Sequence, residues 1–202
     1  MTDYFALLKQ PRLPWLDPEV LKEQFLALSA QVHPDRVHNA SAQDKLVAQE
    51  QYTLLNSAYT CLRDPKARLL HFLELERGCT PQQVQTIPPA LMELFMEVGQ
   101  VCRQAEAVAG QKTQAVSPLL QVQLFERAQE NIDQISALQE RLTARYDSIL
   151  AELKNIGEHW PSNGANEGRE EVLTRLEELY RLFGFFARWR AQLDERKLQL
   201  MF

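Results

Sequence analysis

Hydrophobic residues recur along most of this chain at intervals of three and four, which is the spacing of one face of an α-helix. Two such stretches lie near the amino terminus. The first has apolar positions at Leu21, Phe25, Leu28 and Val32, and the second at Ala48, Tyr52, Leu55, Tyr59 and Leu62. No useful length of sequence alternates apolar and polar residues as a half-buried strand does. The pattern therefore predicts an all-α protein.

Both stretches begin with residues that favour helix initiation. Asp17 and Pro18 supply an N-cap carboxylate and a proline suited to the first helical position. Ser41 and Asp44 resemble a capping box, with Asp where Glu or Gln is usual. Two such helices joined by about ten residues predict an antiparallel hairpin that presents its loop to solvent.

The loop of this hairpin contains His33, Pro34, Asp35 and Arg36. Because a proline disfavours helical geometry at the residue before it, we expect the first helix to end near His33. The loop then displays an imidazole and a carboxylate. These residues point to an interaction protein, since a hairpin tip has no pocket that excludes water from a reaction.

Four further helical stretches follow the hairpin region. Asp64-Pro65 repeats the cap-and-proline start and opens a short helix that Gly78 ends. Residues 79–90, with three prolines, predict a stiff linker between a first domain at 1–78 and a second at 91–202. In the second domain we expect three helices. The first covers about residues 91–109, the second begins at Ser117-Pro118 and continues for close to forty residues, and the third runs from Arg169 to about Leu200. Short connections between them predict an antiparallel three-helix bundle.

Composition excludes several classes of protein. The chain has 202 residues, is 45% hydrophobic and carries a net charge of -5 without a basic block, which argues against nucleic-acid binding. No apolar run approaches the roughly 20 residues that cross a bilayer, and the amino terminus does not resemble a signal peptide, so we expect a cytoplasmic protein. The three cysteines lack metal-ligand spacing, and we expect neither metal nor cofactor.

The chain resembles a J-domain over roughly residues 3–76. The resemblance rests on the His33-Pro34-Asp35 loop together with Asp3-Tyr4-Phe5-Ala6-Leu7-Leu8, Leu55-Asn56-Ser57-Ala58-Tyr59 and Asp64-Pro65. It implies docking on a DnaK-type chaperone and stimulation of its ATP hydrolysis. The implied chaperone-binding residues are His33, Pro34, Asp35, Arg36 and Lys22.

The layout of J-domain followed by a compact helical region is similar to the HscB-type co-chaperones. The shared short sequence motifs are Asp64-Pro65-Lys66-Ala67-Arg68, Phe72-Leu73, Gly78, Leu91-Met92-Glu93 and the stretch from Leu193 to Phe202. This resemblance implies an iron-sulfur cluster scaffold protein of the IscU type as client, delivered to an HscA-type chaperone. The implied client-binding residues on the first bundle helix are Leu91, Met92, Phe95, Glu93 and Glu97. A competing interpretation places Leu91 and Phe95 in the bundle core.

One departure concerns charge. J-domains usually carry several basic residues on the helix before the loop, whereas this helix has only Lys22, beside Glu19 and Glu23. Two alternatives to the HscB interpretation remain: a J-domain protein with a different client, and a structural coiled coil, which would leave the loop unexplained. Catalysis would need a nucleophile or a metal with an oxyanion stabiliser, and the sequence offers no such set.

Overall fold

The computed structural model describes residues 2–33, 41–81, 87–114, 116–160 and 168–202. In these ranges the protein is helical and contains no strand, which confirms the all-α prediction. The helices are α1 (Tyr4–Leu7), α2 (Pro18–Gln31), α3 (Ala42–Arg63), α4 (Pro65–Arg77), α5 (Met92–Gln114), α6 (Pro118–Glu158) and α7 (Arg169–Met201), with one 3-10 turn at Pro89–Leu91. Across the same ranges, no helix is sufficiently long and apolar to traverse a membrane.

Side-chain caps fix the starts of the helices in the amino-terminal half. Asp17 accepts hydrogen bonds from the backbone N–H groups of Glu19 and Val20, and Asp64 accepts one from that of Ala67. Each of these bonds satisfies a donor that the first helical turn leaves free. At α3 the Ser41 hydroxyl accepts from the Asp44 N–H and also donates to the Asp44 carboxylate. The helix starts expected at these three positions are therefore present.

The chain forms two compact units that are not consecutive in sequence. The first comprises Met1–Gln82 and Leu150–Tyr180, and the second comprises Gln83–Ile149 and Arg181–Phe202. Helices α6 and α7 thus each contribute residues to both units. The division into domains at residues 79–90 stays a prediction, and the compact units differ from it in taking residues 150–180 into the first.

Arg68 lies at the centre of the first unit and is buried. Its Nε donates to the carbonyl oxygen of Pro14 at 3.0 Å, and its Nη1 donates to the carbonyl oxygen of Leu62 at 2.7 Å. Leu62 lies in the last turn of α3, where carbonyl groups have no partner within the helix. One guanidinium group therefore ties the segment before α2 to the end of α3 and to α4.

The segment from residues 150 to 180 completes the first unit. The ring of Trp160 meets the buried ring of Phe72 edge to face, with centroids 5.0 Å apart. Gly157 lies directly against Trp15, so a Cβ atom at position 157 would fall 2.6 Å from the Trp15 Cβ. These contacts cover aromatic surface on the amino-terminal part of the unit, and burial of that surface stabilises it.

Ion pairs reinforce the same part of the first unit. The largely buried carboxylate of Glu76 accepts hydrogen bonds from Arg169 and lies 3.8 Å from the guanidinium of Arg12. The neighbouring Arg77 binds the carboxylates of Glu177 and Glu170. Because several of these groups are shielded from water, they form a network and not a set of isolated surface pairs.

The second unit is a helical bundle that packs α5 with parts of α6 and α7, and its cross-links give the helix directions. Gln139 of α6 donates to Asp194 of α7 at 2.6 Å, and Lys197 of α7 donates to Ser136 of α6 at 2.8 Å. Between these two contacts the residue number rises from 194 to 197 on α7 and falls from 139 to 136 on α6, so the two helices are antiparallel. The Lys112 ammonium at the end of α5 donates to the carbonyl oxygen of Leu200 at the end of α7, which places these two ends side by side.

The buried seam of the bundle on α5 runs through Val98, Val101, Ala105 and Val108. The core interpretation expected Phe95 in this seam, but its side chain stays exposed. Helix α6 is continuous through Arg145, and Tyr146 supplies an apolar side chain that packs against the core there.

We expect Gly157→Ala to destabilise the protein by about 1–3 kcal/mol, because the new methyl group would meet the Trp15 backbone as well as its side chain. Gly110→Ala in α5 is the control, since a Cβ atom there meets nothing within 4 Å. That variant should gain roughly 0.5–1 kcal/mol through helix propensity. Urea unfolding measures both, and equal stability of the two variants would contradict the close contact.

We expect the stability of the first unit to fall at mildly acidic pH through His71. The Nε2 atom of this buried side chain accepts a hydrogen bond from the Tyr4 N–H at 3.1 Å, which requires neutral imidazole. Burial lowers the pKa of His71 below its usual value of 6.5, with Asp3 and Glu74 opposing the effect and Arg12 adding to it. The unfolded chain therefore binds the proton more readily than the folded protein.

The contribution of His71 to stability is complete above pH 6.5 and is lost as the pH falls below that value towards the lowered pKa. Free energies of unfolding measured between about pH 7.5 and about pH 5.5 should decline in the wild type. His71→Gln keeps an acceptor and does not titrate, so its decline should be smaller. The same decline in both proteins would exclude His71 as the cause.

Candidate functional site

Helices α2 and α3 form an antiparallel hairpin, and aromatic contacts set its register. Phe25 stacks on Tyr59 with ring centroids 4.2 Å apart, and His33 meets the ring of Tyr52 edge to face at 5.3 Å. The higher-numbered residue of α2 faces the lower-numbered residue of α3, as antiparallel helices require. The apolar stripes predicted for both helices therefore face each other, with Leu21 and Leu55 buried.

His33 lies directly after the end of α2, where the chain leaves helical geometry. Val32 closes the helix with φ -109° and ψ 14°. The imidazole of His33 is half-buried because it packs against Tyr52. Of the other loop residues in the predicted chaperone site, Pro34, Asp35 and Arg36 lie outside the described residues.

The outward face of α2 carries little positive charge. Lys22 is exposed and lies 3.5 Å from the carboxylate of Glu19, while Glu23 is exposed beside it. Val20 and Leu26 are exposed apolar residues on the same helix. A partner that approaches α2 therefore meets apolar and acidic side chains, with the single cation already shared with Glu19.

The predicted client-binding residues lie at the start of α5 and in the turn before it. Leu91 is half-buried and packs against the bundle core. Met92 and Phe95 are exposed by 46% and 39%. The ring of Phe95 lies 6.4 Å from that of Trp189, at the edge of the core. Of the two interpretations of this stretch, the core interpretation fits Leu91 and the surface interpretation fits Met92 and Phe95.

The acidic residues of this stretch differ in their surroundings. Glu93 is exposed, whereas Glu97 is half-exposed and its carboxylate binds the guanidinium of Arg141 on α6. Met96 was not among the predicted client-binding residues, but it is 59% exposed and lies one helical turn after Met92. The four-residue interval between the two methionines could have placed Met96 on the same face of the helix.

Both places offer side chains suited to contact with a partner. The described residues contain no group of three or more His, Cys, Asp or Glu side chains that could hold a metal ion. The hairpin end offers a half-buried imidazole beside an aromatic ring, and α5 offers exposed methionine and phenylalanine side chains. Methionine adapts its shape to a partner surface, and aromatic side chains supply large contact areas.

Sequence comparison finds similar curated proteins in several bacteria, although no family model matches the chain. A protein named Co-chaperone protein HscB homolog from Vibrio cholerae serotype O1, strain ATCC 39541, is 38% identical over 93 residues, which are 45% of this chain and 54% of the relative. The protein of the same name from Bordetella avium is 39% identical over 72 residues, 36% of this chain and 43% of the relative. The chain thus spans about half the length of the curated relatives it matches.

Two solved structures share the fold over almost the whole chain. The chaperone HscB from Vibrio cholerae aligns with a TM-score of 0.64 and 23% identity, covering 98% of this chain and 99% of that one. The human co-chaperone protein HscB aligns with a TM-score of 0.60 and 20% identity, covering 98% and 83%. At these identities the likeness establishes the fold.

The antiparallel hairpin, its flanking helices and the bundle form an all-α fold that the chain shares with these two structures. The resemblance to the HscB-type co-chaperones that the sequence predicts is confirmed by the curated relatives and by the shared fold.

Proposed function

We propose that this protein is a co-chaperone that stimulates ATP hydrolysis by a DnaK/HscA-type chaperone through the loop at residues 33–36. The client that it delivers is an iron-sulfur cluster scaffold protein of the IscU type, bound on α5 of the bundle. The observation that carries this proposal is the position of His33 at the end of α2, in a chain whose curated relatives are named co-chaperones.

The hairpin supports the first part of the proposal. Phe25 and Tyr59 join α2 to α3, and Tyr52 packs against His33, so both helices hold the residue that enters the loop. The Asn56 amide of α3 donates to the Tyr52 carbonyl at 2.8 Å, one turn back along the same helix. A preorganised loop entry reduces the ordering cost that binding would otherwise incur.

The exposed apolar side chains of α5 support the second part. Met92, Phe95 and Met96 lie within five consecutive residues, on a bundle whose own core is already filled by other side chains. Grouped exposed apolar residues on a soluble protein commonly mark a contact surface. A J-domain protein with a different client would use the same surface, so binding to purified scaffold separates the two functions.

Replacing His33 with Gln should abolish stimulation of the chaperone ATPase, and loss of the edge-to-face contact with Tyr52 should lower the free energy of unfolding by only about 0.5–1.5 kcal/mol. His159→Gln is the matched control, because His159 is exposed at the end of α6 and contacts the carbonyl oxygen of Asn155 in its own helix. Single-turnover ATPase assays with the intact chain measure the effect. A stimulated rate unchanged by His33→Gln would refute the role of the loop.

Replacing Met92 and Phe95 together with Ala should weaken binding of the IscU-type scaffold by about tenfold or more, since exposed anchors of this kind dominate interface energies. Basal ATPase stimulation should remain. The double replacement of Leu119 and Phe125 with Ala, a more exposed apolar pair on α6, should leave scaffold binding unchanged. Calorimetric titration of purified scaffold into each variant gives the affinities.

Thermal unfolding checks that the Met92 and Phe95 replacement leaves the bundle folded. Because Phe95 is 39% exposed, the loss should stay below the roughly 3–5 kcal/mol that removal of a fully buried phenylalanine ring costs. Wild-type scaffold affinity in this variant would place the client elsewhere, whereas equal loss in the α6 control variant would indicate unspecific apolar adhesion.

A further inference from the structure

One face of α5 carries a stripe of side chains on the side away from the bundle core. We call the α5 stripe the residues Met92, Phe95, Met96, Gly99 and Arg103. Their intervals of three and four place them within a narrow arc of a helix that has 3.6 residues per turn. The buried residues Val98 and Ala105 lie on the opposite side. The stripe is therefore open to a partner along three turns.

Arg103 reaches back along this stripe. Its Nη1 atom lies 3.4 Å from the place where a Cβ atom on Gly99 would be. Helical side chains lean towards the amino terminus of their helix, which directs Arg103 over the bare backbone at Gly99. The guanidinium group thus lies one turn from Phe95 and Met96, beside the apolar part of the stripe.

Two carboxylates near the stripe are paired with other helices. Glu97 binds Arg141 of α6, and Glu106, which continues the spacing of the stripe three residues after Arg103, lies 3.3 Å from the guanidinium of Arg196 of α7. Glu93 is exposed at the start of the helix but lies to the side of the stripe. Arg103 forms no ion pair or hydrogen bond with the part of the chain that the structure describes. Of the two charged groups on this face, Arg103 is therefore the one that remains available to a partner.

The HscB resemblance implies acidic residues beside the apolar ones, and Arg103 adds a cation to this face of α5. We propose that the α5 stripe binds an apolar surface of the client next to a carboxylate, and that Arg103 pairs with this carboxylate. The inference rests on the proposed function and specifies the chemistry of the client. An arginine suits the role because its planar group can hold a carboxylate through two parallel hydrogen bonds.

Charge at such a position affects which partner binds more than it affects how much surface area the complex buries. A cation facing a carboxylate accelerates association and excludes partners with a basic patch at the same place. The apolar residues Met92, Phe95 and Met96 would supply contact area to many partners. Arg103 is therefore the residue of the stripe that selects among them.

The test measures the affinity of the intact chain for a purified IscU-type scaffold by calorimetry. Arg103→Glu should weaken binding by about tenfold or more, and Arg103→Gln should weaken it less, because Gln removes the attraction without adding repulsion. Arg145→Glu is the control, since it makes the same charge change at an exposed position of α6. In a set of scaffold variants, each with one acidic surface residue replaced by lysine, at least one should restore binding to the Arg103→Glu variant.

The outcomes separate this inference from the proposed function. Binding lost in the Met92 and Phe95 variant but unchanged in Arg103→Glu would overturn the role of Arg103 alone. Wild-type affinity in both variants would overturn the α5 client site itself. Tighter binding by Arg103→Glu would overturn the proposed pairing, because the facing surface would then be basic. Equal weakening by Arg145→Glu would also overturn it, because the effect would then come from net charge and not from a specific pair. Circular dichroism of each variant confirms that it is folded.

Discussion

The buried guanidinium of Arg68 is the interaction on which the first unit depends. By donating to the carbonyl oxygens of Pro14 and Leu62, it connects the segment before α2, the end of α3 and α4. A lysine would offer a single ammonium nitrogen in place of this planar fork of donors. The carbonyl of Pro14 precedes α2 and that of Leu62 ends α3, so this link helps to set the geometry of the hairpin and through it the position of His33. The site at the loop is thus supported from the other end of the hairpin.

Local chemistry explains why much of this fold could be predicted from the sequence. Asp17, Ser41 and Asp64 begin helices because their side chains accept hydrogen bonds from the first turn, and this depends on only a few neighbouring residues. Pro118 likewise begins α6 as expected. Helical periodicity indicated the remaining helices. The residues that carry the J-domain resemblance form short contiguous motifs, so the resemblance to the HscB-type co-chaperones could also be predicted.

Contacts between distant parts of the chain could not be predicted in this way. Periodicity alone does not decide whether Phe95 or its neighbours fill the bundle seam, because both choices give acceptable helical spacing, and the packing of α7 decides it. The pairing of Glu97 with Arg141 depends on the register of α5 against α6. Glu97 therefore differs from the free acidic client contact that the resemblance implies, and its role at the client surface stays a prediction.

The composition of the first unit has a consequence for how the protein is made. Its parts come from residues 1–82 and 150–180, so it cannot be completed until roughly a hundred more residues have followed its amino-terminal part. At about 5–20 residues per second, synthesis of these residues takes about 5–20 seconds. During this interval the aromatic surfaces of Trp15 and Phe72 are not yet covered by Gly157 and Trp160. The nascent chain thus exposes for several seconds the kind of surface that chaperones recognise, in a protein whose proposed task is to assist a chaperone.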